Sequence, residues 1–451
     1  MRLSERSITM ALLTIAFAVF PALTALGQEP TPLSLAEAVA YALEHNPTIA
    51  AAAARVSAGD ANVALAHSGA QPAFTLRGSG RLQGPPQEIK ISFPPPGHTI
   101  RINRARQGTV AAGVVWPLWT GGRVEAATGA ARAQLDAAEG DLQQATEQLL
   151  YEVGAVYYRV LGARSARAAA EAGVERAEEE LRAAGEARTA GALTGSDVSA
   201  ATAAYRQAEQ ALVAAENVVA DAEQSLNRLL GRQLDEPVRL VEEPVVVEPA
   251  PRLDEAVAVA LTTRPELLAL ADRREAAEAA ISQARAERNP TISAVGEAAL
   301  QTPTDVMRNH AEFVGLEFSW PILNHPAARA RERVARATVQ ELEETQRDLE
   351  SAIAFQVRES ERRLADAREA LASAQEALQA AEDSARQARV SYQLGAATRR
   401  ELVAAEATLE ENRARLTQAQ HGVSVALLSQ ARALGLLRTL FLAPAEEVGQ
   451  P

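Results

Sequence analysis

The sequence predicts a mostly helical protein that is built from two copies of one module, with short β-strands between the helices. Alanine is abundant, aromatic residues are 4% and charged residues 23% of the 451-residue chain, a composition that favours helix. Leucine and valine recur every seventh position through two long segments, which is the interval of a coiled coil. One short segment also occurs twice, which indicates a duplication.

Two copies of this segment define the repeats. Leu35–Pro47 reads LAEAVAYALEHNP and Leu253–Pro265 reads LDEAVAVALTTRP, so the copies begin 218 residues apart. Trp116 and Trp320, each followed by proline, are 204 residues apart, so one loop differs in length between the copies. We predict a first repeat over 28–231, a linker over 232–252, a second repeat over 253–435 and a C-terminal tail over 436–451.

The N-terminus is typical of an export signal. Arg2 and Arg6 provide a basic start, Met10–Leu26 is apolar, and small residues precede Gln28, as in signal peptides. We predict a signal peptide over residues 1–27. The alternative is an uncleaved anchor, for which the apolar run is short because a membrane-spanning helix needs about 20 residues.

Hydrophobic periodicity predicts the order of elements in each repeat. In the first repeat, helices are predicted over 34–67, 123–189 and 197–230, and strands over 73–82 and 109–118. In the second repeat, helices are predicted over 253–287, 327–393 and 401–434, and strands over 291–301 and 311–320. Gly84–Gly108 contains two proline clusters and is predicted to be a long irregular loop.

The predicted helix lengths agree within each repeat. Each long helix would extend about 100 Å at ~1.5 Å per residue, and the two short helices of a repeat together match one long helix. The natural packing is therefore antiparallel, with one long helix against two short ones placed end to end. We predict a coiled-coil bundle with the strands at one end and the turns at Gly191 and Gly395 at the other.

The predicted strands have the features of membrane β-strands. Each has about ten residues and one apolar face, which suits a tilted strand in a bilayer. Trp116, Trp119 and Trp320 lie where strands give way to helix and are predicted to form a membrane-interface girdle. Four strands cannot close a membrane barrel, and lipid does not tolerate an open sheet edge, so several chains must pool their strands. The alternative is an ordinary small sheet.

Composition also argues against several classes of protein. The net charge of −13 disfavours a nucleic-acid partner. The absence of cysteine excludes disulfides, thiolate metal sites and lipid attachment at an N-terminal cysteine. No two histidines have the helical spacing of metal ligands, and no nucleophile–base pair or phosphate loop stands out. We therefore expect no enzymatic activity, no metal and no cofactor.

The whole pattern resembles the TolC-like outer-membrane efflux and secretion channels. The residues that carry the resemblance are the paired openings, the Trp-Pro strand ends, the strand starts at Pro72 and Pro290, and the turns over Ala190–Val198 and Tyr392–Leu402. The resemblance implies a homotrimer in which four strands from each chain form a twelve-stranded β-barrel in the outer membrane, continued through the periplasm by an α-barrel tunnel. It also implies a passive duct whose partners are a periplasmic adaptor protein and an inner-membrane transporter.

The resemblance places the periplasmic mouth of the tunnel at the two helical turns. It implies gate or selectivity roles for acidic and basic residues near the mouth and for one tyrosine: Asp197, Tyr392, Arg399, Arg400 and Glu401. The family's usual arginine after the second turn is Ala397 in this chain, so its closing bonds would be altered. Asp197 and Glu401 also occupy the third positions of helix N-termini, where a carboxylate can act as a cap alone.

The turns are also expected to contact the adaptor. The residues assigned to this contact by the resemblance are Gly191, Ala192, Leu193, Gly395 and Ala396. The alternative function is a periplasmic coiled-coil scaffold or adaptor protein without a pore, which would not need four amphipathic strands or their tryptophans. The transported substrate is not encoded in any motif of the sequence.

Overall fold

The structure is a computed structural model that describes residues 32–85, 87–102, 104–242, 252–303, 308–323 and 325–442. The predicted signal peptide lies outside these residues, as do parts of the predicted linker and of the C-terminal tail. Among the described helices, none combines the length and apolar character needed to span a membrane.

The helices agree with the sequence prediction, except that the predicted helices over 34–67 and 253–287 are each divided into two. Those of the first repeat are α1 Leu35–His45, α2 Pro47–Ser68, α3 Arg123–Thr189 and α4 Gly195–Leu230. Those of the second repeat are α5 Leu253–Thr263, α6 Pro265–Ala286, α7 His325–Gln393 and α8 Arg399–Ala433, followed by α9 Leu437–Leu442. Pro47 and Pro265 each begin a new helix, because proline cannot donate the backbone hydrogen bond that a continuous helix requires. The short helix α9 was not predicted.

Four strands form one antiparallel sheet, as predicted. They are β1 Ala73–Leu82, β4 Arg106–Trp119, β5 Thr291–Gln301 and β6 His310–Ser319, and their order in the sheet is β1-β4-β5-β6. The register aligns Phe74, Val114, Gly296 and Val314 in one row across the sheet. Even-numbered residues of the four strands therefore share one face, up to Pro117 in β4, after which the register shifts and Trp119 pairs with Ile292. In this sheet of the described chain, β1 and β6 are the outer strands.

The prediction of an irregular loop over Gly84–Gly108 was wrong. This segment contains a second, two-stranded sheet made by β2 Glu88–Ile91 and β3 His98–Arg101. Both strands are short, and the proline clusters that suggested a loop lie outside them. Short exposed strands have too few alternating residues to give a clear periodic signal.

The chain divides into two compact units that do not follow the repeats. One unit comprises residues 1–45, 152–246 and 366–428, and the other comprises 46–151, 247–365 and 429–451. Each unit therefore contains segments of both repeats, because α3 and α7 each contribute to both. The repeat boundaries stay a prediction from the sequence.

Each unit has its own apolar core. In the first unit, Tyr157, Tyr158, Leu226 and Leu230 are fully buried. The Tyr157 hydroxyl lies 2.9 Å from the carbonyl oxygen of Leu33, within reach of the bridge that pairs Leu33 with Leu240. In the second unit, the core is formed by small and branched side chains from α5, α7 and the end of α8: Ala256, Ala260, Ile353, Val357, Ala433 and Leu434.

Candidate functional site at the helical turns

Two turns of the first unit have the same backbone structure. In the turn between α3 and α4, Ala192 N donates to Ala187 O (2.8 Å) and Gly191 N donates to Arg188 O (3.0 Å). In the turn between α7 and α8, Ala396 N donates to Ser391 O (2.8 Å) and Gly395 N to Tyr392 O (3.0 Å). Gly191 and Gly395 both have a positive φ, which completes the Schellman motif at a helix C-terminus. The assigned adaptor-contact residues are exposed.

Asp197 and Glu401 cap the helices that follow these turns. Thr194 donates to the Asp197 carboxylate from its backbone N–H and from its hydroxyl, both at 2.7 Å. Thr398 donates to Glu401 in the same way, at 2.7 and 3.0 Å. These hydrogen bonds hold the pKa of both carboxyl groups below their usual range. The carboxylates therefore act as caps in the single chain, which is one of the two roles expected from the sequence.

An ion-pair cluster joins the two repeats near these turns. Glu179 on α3 is buried and accepts two hydrogen bonds from Arg182, at 2.9 and 2.5 Å. Arg399, at the start of α8, approaches the same carboxylate at 3.2 Å. Arg182 also pairs with Glu186 one turn further along α3. The pKa of Glu179 is lowered, chiefly by the hydrogen bonds from Arg182, so this carboxylate stays charged.

Tyr392 and Arg400, two other predicted gate residues, differ in their relation to this cluster. Tyr392 is exposed and lies within electrostatic reach of Arg182. Arg400 lies beside Glu401 and contributes to lowering the pKa of that carboxyl. Of the two adjacent arginines, Arg399 is thus the one that pairs across the repeats, two residues beyond Ala397.

Sequence reasoning missed Glu179 and Arg182. A glutamate three residues before an arginine is ordinary on a helix surface, where such pairs contribute only a few tenths of a kcal/mol. The feature that distinguishes Glu179 is its burial beside a second arginine from a distant part of the chain. That arrangement has no local sequence signal.

The predicted girdle lies at the helix-proximal end of the sheet. Trp116 and Trp119 belong to the last residues of β4, and Trp320 directly follows β6. All three side chains are about half exposed. The apolar side chains on the even-numbered face of the two outer strands are strongly exposed in the single chain: Phe74, Leu76, Leu82, Val314, Leu316 and Phe318.

The sheet and the duplicated helices are both covered by a match to a known family of membrane proteins. A model of outer membrane efflux proteins matches the chain over residues 38–232 and 256–436. The chain belongs to the outer membrane efflux protein family.

Individual relatives agree with this assignment. The protein CyaE of Bordetella pertussis is 29% identical over 321 residues, which cover 69% of this chain and 65% of CyaE. The match therefore spans less than two thirds of that relative's length. The structure of the outer-membrane channel OprN is similar, with a TM-score of 0.69, 22% identity and 89% of each chain covered. The outer membrane protein VceC of Vibrio cholerae has a TM-score of 0.67, 21% identity, and 89% of this chain and 96% of VceC covered. The likenesses to OprN and VceC show that this chain shares their fold, in which long helices are combined with a β-sheet.

Proposed function

We propose that this protein is the outer-membrane channel of a tripartite efflux or type I secretion system. It is a passive duct through the outer membrane and the periplasm, for substrates that an inner-membrane transporter and a periplasmic adaptor deliver. The family is one of channels and not of enzymes. The observation that carries the proposal is the four-stranded sheet, which has one exposed apolar face and an outer strand on each side.

This sheet suits a barrel shared between chains. The exposed side chains of β1 and β6 would contact lipid, while the more polar odd-numbered residues would line an aqueous lumen. The backbone groups at the outer edges of β1 and β6 need partners, because an open edge is not tolerated in lipid. Pairing β6 of one chain with β1 of the next supplies those partners. Three chains then form the twelve-stranded barrel that the family resemblance implies.

The helical turns are the proposed periplasmic mouth. The exposed turn residues would contact the adaptor, and the cluster of Glu179, Arg182 and Arg399 would hold the two repeats of one chain together there. Threefold symmetry would also turn Asp197 and Glu401 into rings of negative charge, and acidic rings favour cations in a narrow pore. Both residues would then have a selectivity role in addition to capping.

The main test is conductance in a planar bilayer, with the oligomer mass measured by native mass spectrometry on the same preparation. Discrete cation-selective steps from a trimer are expected. A protein that never inserts, or that stays monomeric, would contradict the proposal and leave the pore-free scaffold, which the family match does not support.

Strand pairing between chains can be tested directly because the chain has no cysteine. We expect Gly315→Cys in β6, combined in turn with Thr75→Cys, Arg77→Cys or Ser79→Cys in β1, to give cross-linked dimers and trimers with a short bismaleimide for the pair that the register between chains aligns. The matched control is Ala111→Cys with Ala299→Cys, since these residues are paired within one chain. The control should give only an internal cross-link. A monomer pattern like that of the control for every pair of β1 and β6 cysteines would argue against the shared barrel.

The gate is tested by single-channel recording. Asp197→Ala and Glu401→Ala are expected to raise conductance and to lower cation preference; parental behaviour of both would reduce these residues to caps. Arg399→Gln should raise conductance more than Arg400→Gln, because only Arg399 pairs with Glu179. Equal effects of the two arginine variants would contradict a gating role for that pair.

A further inference from the structure

Arginines surround one carboxylate at the junction between the sheet and the helices of the second repeat. Glu332 on α7 accepts hydrogen bonds from Arg285 (2.9 Å), Arg288 (2.7 Å) and Arg336 (2.7 Å). The Glu332 side chain is largely buried beneath these guanidinium groups. We call Arg285, Arg288, Arg329, Arg333 and Arg336, together with Glu332, the arginine cluster.

The arginine cluster has an excess of positive charge. An open pocket of about 610 Å³ is lined by Arg288, Arg329, Arg333 and Arg336, with Glu332 and Pro326. No acidic side chain of the described residues pairs with Arg329 or Arg333, and Arg331 nearby is neutralised by Glu287. The pocket lining thus holds four guanidinium groups against one carboxylate, in a chain whose net charge is −13. Such a site favours an anion that can accept several N–H donors at once.

The arginine cluster borders the apolar face of the sheet. The Trp320 indole N–H donates to the carbonyl oxygen of Arg288 at 3.2 Å. Trp320 directly follows β6, in which Val314 and Phe318 on the apolar face are 91% and 63% exposed. Tryptophan favours the boundary between hydrocarbon and headgroups, and arginines beside it can reach the headgroup phosphates while their stems stay against apolar surface.

The equivalent junction of the first repeat lacks four of these five arginines. At the offset of 218 residues, His67 corresponds to Arg285 and Ala70 to Arg288. At the offset of 204 residues, Glu125 corresponds to Arg329, Gly129 to Arg333 and Arg132 to Arg336. The position of Glu332 corresponds to Thr128. The excess of positive charge therefore occurs at one of the two junctions in each chain.

We infer that the arginine cluster binds the phosphate of an anionic phospholipid in the periplasmic leaflet of the outer membrane. The inference rests on the proposed function, since it needs the sheet to lie in that membrane. Guanidinium groups bind phosphate oxygens through paired N–H donors, and Glu332 holds three of the arginines in place. Each chain would carry one such site, and a trimer would carry three.

The test measures lipid retained by the detergent-extracted full-length protein, by native mass spectrometry after addition of phosphatidylglycerol or phosphatidylcholine. Arg329→Gln with Arg333→Gln removes two positive charges without removing a partner of Glu332. Phosphatidylglycerol affinity should fall roughly 10- to 30-fold, whereas phosphatidylcholine binding should not change. The matched control, Arg123→Gln with Arg132→Gln in the first repeat, should retain phosphatidylglycerol like the parent.

Two results would overturn the inference. One is equal retention of phosphatidylglycerol by the parent and the Arg329/Arg333 double variant. The other is displacement of the lipid by millimolar inorganic phosphate, which would identify a site for free anions. Conductance in phosphatidylcholine bilayers separates this inference from the proposed function. A protein that forms normal channels but retains phosphatidylglycerol no better than phosphatidylcholine would refute the lipid site alone. A protein that never conducts would refute the proposed channel function.

Discussion

Glu332 and Thr128 occupy corresponding positions in the two repeats, yet their surroundings differ. Glu332 is bonded to three arginines, whereas the hydroxyl of Thr128 is buried with no hydrogen-bond partner among the described atoms. Each of the two helical turns, by contrast, contains a Schellman motif followed by a capping box. The turns depend on local backbone rules, which constrain both repeats equally. The junctions depend on which side chains meet in space, and there the repeats have diverged.

The largest expected effect distinguishes two glycines that follow corresponding helices of the two repeats. Gly231 after α4 and Gly435 after α8 both have a positive φ. A Cβ at Gly231 would lie 2.6 Å from the carbonyl oxygen of His45, whereas at Gly435 the nearest atom is the Thr263 hydroxyl oxygen at 3.0 Å. Gly231→Ala should cost about 3 kcal/mol or more, and Gly435→Ala about 2, from left-handed strain plus crowding.

Urea-induced unfolding of the detergent-extracted protein measures this difference. Gly191→Ala is the control, because open space surrounds its Cβ position and only the strain of about 1–2 kcal/mol applies. Equal losses for all three variants would show that crowding at Gly231 does not matter.

A buried carboxyl group distinguishes the first repeat at mid-helix. Burial, and then the nearby charge of Glu266, raise the pKa of Glu147 to about 7. The corresponding residue of the second repeat is Ser351. Because the pKa of Glu147 is higher in the folded than in the unfolded protein, the folded protein binds the proton more tightly. The contribution of protonated Glu147 to the free energy of unfolding is therefore full below pH 4.5 and is lost as the pH rises through 7. At pH 8, Glu147→Gln should stabilise the protein by up to about 3 kcal/mol.

The pH dependence of unfolding checks this expectation. The Glu147→Gln variant should be more stable than the parent at pH 8 and similar to it at pH 4. Glu139→Gln, an exposed change on the same helix, should follow the parent throughout. A Glu147→Gln variant that follows the parent at both pH values would show that Glu147 is solvated.

The junctions are compared by changing Glu332 and Thr128. Glu332→Gln leaves several guanidinium groups without their carboxylate and should lower the thermal midpoint by about 3–6 °C. The pKa of Glu332 is lowered, chiefly by Arg285, so its contribution is present above pH 4.5 and is lost as the pH falls below that value. Thr128→Val removes an unpaired buried hydroxyl and should be neutral or slightly stabilising. Thermal melts that show the same shift for both would remove the contrast.

The smallest expected destabilisation concerns the caps, for which the repeats should behave alike. Thr194→Ala and Thr398→Ala each remove a hydroxyl that bonds a carboxylate and a backbone N–H, and each should cost about 1 kcal/mol. Equal shifts in urea midpoint are expected. A clear difference between the two would show that the turns are less alike than their backbones.

Local sequence patterns predicted most helices, strands and turns, because each pattern by itself specifies the element in which it occurs. Leu149, Val357 and Leu364 belong to the seven-residue series and are buried, and the predicted cap at Asp197 forms a capping box with Thr194. The predicted strand 73–82 agrees with β1 at both ends. The sequence failed where the signal was short, as in the hairpin of β2 and β3 and in the helix α9.

The sequence by itself determined the duplication, the order of helices and strands, the apolar face of the sheet and the form of both turns. These features arise from periodicity, proline, glycine and caps, which act over a few residues. Only the tertiary structure decided that Arg399 pairs with Glu179, that three arginines share Glu332, and that the compact units mix segments of both repeats. Those contacts join residues far apart in the chain, and their energies depend on burial and distance, which no local pattern contains.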